Sequence, residues 1–141
     1  MSAFKSVLIA AAVLAVGARA WQSHESAVAD RELQALADSN GFVPVQMPDG
    51  APRGTVLILA PLNCPSAGAK RAEALAGRLR ELGIPSIRTS QYAVAGLAPD
   101  GRAGVDHAVA IMKGQVPAVM INGRGKANPT ADQVAAEFRN D

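Results

Sequence analysis

This chain predicts an α/β fold in which helices pack on a buried sheet, and three observations carry that expectation. The first is composition. Of 141 residues, 49% are hydrophobic but only 4% aromatic, so the core must be built from Ala, Val, Leu and Ile, which suit helices on a sheet. The second is the continuous, partly β-branched run Thr55-Val56-Leu57-Ile58-Leu59-Ala60, the mark of a strand covered on both faces. The third is its sequel: helical spacing over 66–82, a glycine stop at Gly83 and a second strand, an order that implies a right-handed parallel crossover. The length suits one domain of about 100 to 150 residues plus an extension.

The extension comes first. Lys5 precedes an apolar run over 7–18, and Ala18-Arg19-Ala20 has the small-x-small form of a signal-peptidase site. The run is shorter than the roughly 20 residues that span a bilayer. A cleaved signal over 1–20 is the first reading. An uncleaved anchor with Trp21 at the membrane interface is the second, and a buried N-terminal helix the third. The first two place the folded part in a bacterial periplasm or cell envelope, with the N-terminal segment as its only membrane contact. Residues 21–54 then read as a helical spacer and an extended arm. Val28, Leu33 and Leu36 mark a weakly amphipathic helix over 26–39, with Asn40-Gly41 as its cap. Residues 42–47, around Pro44, read as an edge strand or arm, and Pro48-Asp49-Gly50 as a turn.

The domain proper is expected over 55–141. The run 55–60 should be its central strand. Ala72, Leu75, Ala76, Leu79 and Leu82 recur at helical spacing, and Ile84-Pro85 leads into a strand over 86–92. Residues 95–104 read as a loop and 105–113 as a short helix ended by Gly114. Pro117 opens the strand Ala118-Val119-Met120-Ile121, and Asn122-Gly123 is a tight hairpin turn. Thr130-Ala131-Asp132-Gln133 is a capping box for a last helix that turns Val134, Ala135 and Phe138 inward.

Charge and motifs narrow the chemistry. A net charge of +2 spread over scattered Arg and Lys makes no basic face, so no nucleic-acid partner is expected. Two isolated histidines, His24 and His107, cannot form a zinc site with one cysteine, and no phosphate-binding glycine loop occurs, so no bound metal or cofactor is expected. The single cysteine, Cys64, stands in Leu62-Asn63-Cys64-Pro65-Ser66-Ala67 where a strand runs into a helix. There the free N–H groups and dipole of the helix favour a thiolate, with Pro65 at the first helical position and Ser66 either bonding the sulfur or capping the helix. The opposing reading is a small buried apolar residue. Lys70 and Arg71 read as solvated helix charges, the alternative being that one of them favours the thiolate or an acidic partner, and Asp106-His107 would make a cysteine-histidine pair only if the fold brought them to Cys64. Tyr92 and the loop Pro99-Asp100-Gly101 could border a groove.

In order of elements the chain from 55 to 138 resembles the thioredoxin fold, and glutaredoxins in particular. Cys64-Pro65-Ser66-Ala67 is similar to that family's C-P-x-C site with Ala67 in place of the second cysteine. Val116-Pro117-Ala118-Val119-Met120-Ile121-Asn122-Gly123 is similar to its proline-led hairpin. The resemblance implies a three-layer α/β/α sandwich on a mixed four-stranded sheet. It also implies a cis Pro117 holding the backbone of Val116 against the thiol, and a substrate face made by Cys64, Pro65, Ser66, Val116 and Pro117. Without a second cysteine, Cys64 would work as a monothiol, its mixed disulfide resolved by a protein thiol or a small one such as glutathione. The family's lysine before the cysteine is replaced by Ala60-Pro61-Leu62, and its glycine pair after the hairpin by Gly125-Lys126-Ala127-Asn128-Pro129-Thr130. Two alternatives to an enzyme follow: a non-catalytic module that pairs an extended peptide near Pro117, and an envelope subunit that docks through 42–47.

Overall fold

A computed structural model of the chain describes residues 2–97, 99 and 101–140. It divides into two compact units, Met1–Ala35 and Leu36–Asp141. The first is a single helix, α1 (Ser2–Leu36), on which Trp21 is 69% exposed. The signal-or-anchor expectation rests on side chains at 7–17, which lie outside those described. Among the described residues no helix is long and apolar enough to cross a membrane. Because α1 ends at Leu36, Asn40-Gly41 is not its cap. Gly41, at φ 82°, instead closes a turn in which its N–H donates to the Asp38 carbonyl.

The second unit is α/β. In chain order it holds β1 (Val43–Pro44), β2 (Val56–Leu59), α2 (Ala67–Glu81), β3 (Ser86–Thr89), α3 (Gly101–Met112), β4 (Ala118–Ile121), β5 (Arg124–Ala127) and α4 (Ala131–Arg139). The sheet has five strands in the order β1-β5-β4-β2-β3, one more than expected. The extra strand is part of the arm: Val43 and Pro44 pair antiparallel with Gly125 and Arg124. This addition makes β4 the middle strand and puts β2 beside it. β2 and β3 are parallel across the α2 crossover, while β4 runs antiparallel to both β2 and β5.

Alternation along the strands sorts the core. Val56, Ile58, Val119 and Ile121 turn to one face, where they pack with Ala72, Leu75, Ala76 and Leu79 of α2 and Val134 and Ala135 of α4. On the other face Gly125 lies against Ile111 of α3, Val45 and Met120. Helices thus cover both sides of a mixed sheet, an arrangement compatible with a three-layer sandwich. Several local expectations hold. Asn122 and Gly123, at φ 45° and 80°, turn the hairpin. Thr130 and Gln133 form the reciprocal capping box. Gly83 ends α2 in a Schellman arrangement, its own N–H donating to Arg80 and that of Ile84 to Leu79.

Two boundaries move. α3 begins at Gly101 instead of 105: Gly101 is buried, and a Cβ on Gly104 would lie 2.7 Å from the Gln46 nitrogen, so Gly104 serves close packing against the arm, not a loop. β3 stops at Thr89, whose hydroxyl accepts from the Gln91 N–H and turns the chain away from the sheet.

The arm is fixed by charge. Arg124 on β5 places its Nε 3.0 Å from Asp38 Oδ2 and 3.2 Å from Glu137 Oε1, and donates to the Phe42 carbonyl. Asn40 donates to Glu137 Oε2, and Lys126 to the Asn40 carbonyl. Burial raises the Glu137 pKa, the nearby Asp38 carboxylate adding to it. At Asp38 burial pushes the same way but is outweighed, chiefly by the Phe42 N–H and then by the Glu137 side chain, with Asn40 and Arg124 adding, so its pKa falls. Glu137 therefore adds stability most fully below its ordinary 4.5 and loses it as pH rises through the folded value; Asp38 adds above its ordinary 3.8 and loses as pH falls. As pH rises from 4.5 through the raised folded value, native protein should lose stability relative to Glu137→Gln, which keeps an acceptor for Asn40 and cannot ionise. Urea unfolding at a series of pH values checks this, and parallel curves for the two proteins would refute it.

Candidate functional site

The register of β2 against β4 assembles the site. Leu59 pairs with Ala118, so the loop that leaves β2 towards Cys64 and the segment that enters β4 through Pro117 emerge at the same end of the sheet. On the first side the chain passes Pro61 and turns at Leu62-Asn63, with Asn63 in the left-handed region at φ 53°, which Asn tolerates better than most residues. Residues 61–67 are all exposed, Cys64 among them. The buried, apolar reading of the cysteine is thereby excluded.

The helix starts later than Pro65. Ser66 is the N-cap, in extended backbone, and Ala67 the first helical residue, so Pro65 precedes the cap instead of occupying the first turn. Cys64 is correspondingly ahead of the helix. Its thiol is nonetheless pulled below the ordinary value, first by a hydrogen bond from the Ser66 hydroxyl and then by the Ser66 N–H, over slight opposing desolvation. The same hydroxyl oxygen accepts the Ala69 N–H at 3.2 Å. Ser66 thus both caps the helix and steadies the thiolate, two roles the sequence presents as alternatives.

On the second side the Val116–Pro117 peptide is cis and Pro117 is fully buried. Asn128 clasps this segment from the end of β5, its N–H donating to the Pro117 carbonyl at 2.7 Å and its amide to Gln115 Oε1 at 2.9 Å. α2 holds it from the other direction. Arg71 Nε donates to the Val116 carbonyl at 2.9 Å, and a Cβ on Gly68 would lie 2.8 Å from Val116 Cβ. Gly68 and Asn128 belong to the site although the sequence gives them no role, and so does Arg71, which reads there as a solvated helix charge. Gly68, an interruption in the first turn of a helix otherwise rich in alanine, was the only signal.

Between the two sides lies a shallow groove of about 430 Å³, walled by Leu59, Ala60, Pro61, Ser90, Tyr92, Met112, Val116 and Ala118, with no charged side chain. Tyr92 is anchored by its hydroxyl, which donates to the Gln46 carbonyl at 2.8 Å. Burial, and then the charge of Asp49, raise its pKa and keep that proton in place. The groove joins Val116 to the strand end that leads to the cysteine. His107 is elsewhere: its Nδ1 lies 2.8 Å from the Pro44 carbonyl, and it lines a separate hollow with Val45 and Gly104. It acts as a tie between α3 and the arm, not as a base for the thiol. Lys70 is an exposed helix charge, as expected.

Comparison with known protein families, with curated proteins and with solved structures finds no match. The site is therefore read from its own chemistry: an exposed thiol whose pKa Ser66 lowers, on a loop that leaves the strand end where an uncharged groove lies. Ser66→Ala should raise the pH midpoint of Cys64 alkylation and also cost about 1 kcal/mol of stability through the lost cap. Ser66→Thr, which keeps a hydroxyl, should restore most of both. An unmoved midpoint in the alanine variant would show that Ser66 does not govern the thiol.

Proposed function

We propose that residues 55–141 form a thioredoxin-like, glutaredoxin-like domain, exported to or anchored in a bacterial periplasm or cell envelope, whose Cys64 exchanges thiols and disulfides as a monothiol. The observation that carries this reading is the exposed Cys64 sulfur with its pKa lowered by the Ser66 hydroxyl and N–H, since the thiolate is the species that attacks disulfides. The order of elements around the sheet, the cis peptide before β4 and the shared end of β2 and β4 support it.

The chemistry balances without a bound group. The Cys64 thiolate attacks one sulfur of a partner disulfide, a Cys64–sulfur bond forms, and the partner's other sulfur leaves as a thiolate. A second thiol, on a protein or a small molecule such as glutathione, then attacks the partner's sulfur in that mixed disulfide. This releases the Cys64 thiolate and closes a new disulfide outside the chain. Ala67 stands where a resolving cysteine would be, so the second thiol must come from another molecule. The groove beside the loop would receive the residue flanking the partner's cysteine.

Alkylation of Cys64 by iodoacetamide across pH should show a midpoint below the free-cysteine value of about 8.5. Incubation with a peptide disulfide should give one mixed disulfide by intact mass, cleared by added thiol and missing in Cys64→Ser. An ordinary midpoint together with no adduct would end the proposal.

A further inference from the structure

We propose that Arg71 is the positioning residue of this site: by bonding the Val116 carbonyl it fixes the Val116–Pro117 segment against α2, and so governs how a partner disulfide is held instead of how reactive Cys64 is. The inference rests on the thiol-exchange reading above. Two contacts on one face of α2 carry it. Gly68 lets Val116 approach to a distance that a Cβ would forbid, 2.8 Å to Val116 Cβ and 2.9 Å to its Cγ1. Three residues on, and so on the same face, Arg71 reaches the Val116 carbonyl through Nε at 2.9 Å. One contact admits the segment and the other latches it.

Among the described residues, Arg71 makes no ion pair: its side chain is exposed, and the ion pairs are made by other arginines. An exposed arginine without a carboxylate partner has no reason of charge to lie over the helix; a guanidinium donor to a neutral carbonyl does. Its role also separates cleanly from thiol activation. The groups that lower the Cys64 thiol belong to Ser66, and Arg71 is not among them. What Arg71 controls is the place of Val116, which walls the groove opposite Pro61. The Ser66 cap that follows Cys64 and the Arg71 latch on Val116 both stand on α2, so this helix couples the thiol's loop to the groove wall.

The test compares two reactions of the full-length chain. With iodoacetamide, which needs only the thiolate, Arg71→Ala should keep the native rate and pH midpoint. With the symmetric disulfide of a short uncharged cysteine peptide, its rate of mixed-disulfide formation should fall about fivefold or more, since displaced groups lose productive geometry. Arg71→Lys, which restores a cationic donor, should recover part of that loss. Gly68→Ala should show the same split by pushing Val116 off the helix. Exchange by Arg71→Ala within about twofold of native would overturn the inference, as would alkylation falling in step with exchange. A native chain that fails to exchange at all would instead remove the reading on which the inference stands.

Discussion

The pairing of β2 with β4 is the constraint on which the rest of this structure depends. Both strands are buried along their whole length, so a slip of one residue would turn Ile58 or Val119 from the core to the opposite face. That burial fixes the register with Leu59 opposite Ala118. Everything chemical follows from the fixed pair of strand ends: the loop that ends at Cys64 leaves from one, and the segment through Pro117 arrives at the other. A site built from residues more than fifty positions apart in the chain therefore inherits its geometry from the apolar core, not from the residues that do the chemistry.

Around that pair, α2 works as a gauge. Its outer end carries the Ser66 cap, and its first turns carry Gly68 and Arg71, which seat Val116. Its inner face, from Ala72 to Leu79, is held by the same apolar cluster as β2. Electrostatics contributes on the far side of the molecule, where Arg124 gathers Asp38 and Glu137 and so ties the arm to β5 and α4. The two regions divide the work. Charge secures the arm at the margin, whereas the groove beside the Cys64 loop is lined by uncharged side chains.

Much of this was legible in the chain. The run 55–60, the crossover to β3, the Asn122-Gly123 turn and the Thr130–Gln133 capping box each follow from local chemistry, and local chemistry decides them. What was missed depends on distant partners. Residues 42–47 around Pro44 read as an edge strand or arm, and β1 is an edge strand; its partner is not visible locally, because β5 supplies the edge and Arg124 holds the arm on it. Gly101 and Gly104 look like loop residues but lie in α3, where Gly104 admits the arm closely. Ser66 presents two functions that the sequence makes exclusive and the geometry makes simultaneous. Arg71 looks like any solvated helix charge until the fold delivers a carbonyl to it from forty-five positions away.

The added strand has a consequence for how this molecule behaves in company. A sheet grows at its margins, and β1 closes the β5 margin with a short, proline-bearing segment that offers an incoming chain almost no ladder to extend. The opposite margin is β3, four residues that include Arg88. Detaching the arm would uncover the outer edge of β5 and leave a four-residue template free to recruit another strand. The charged clasp at Arg124 is thus also a guard against self-association.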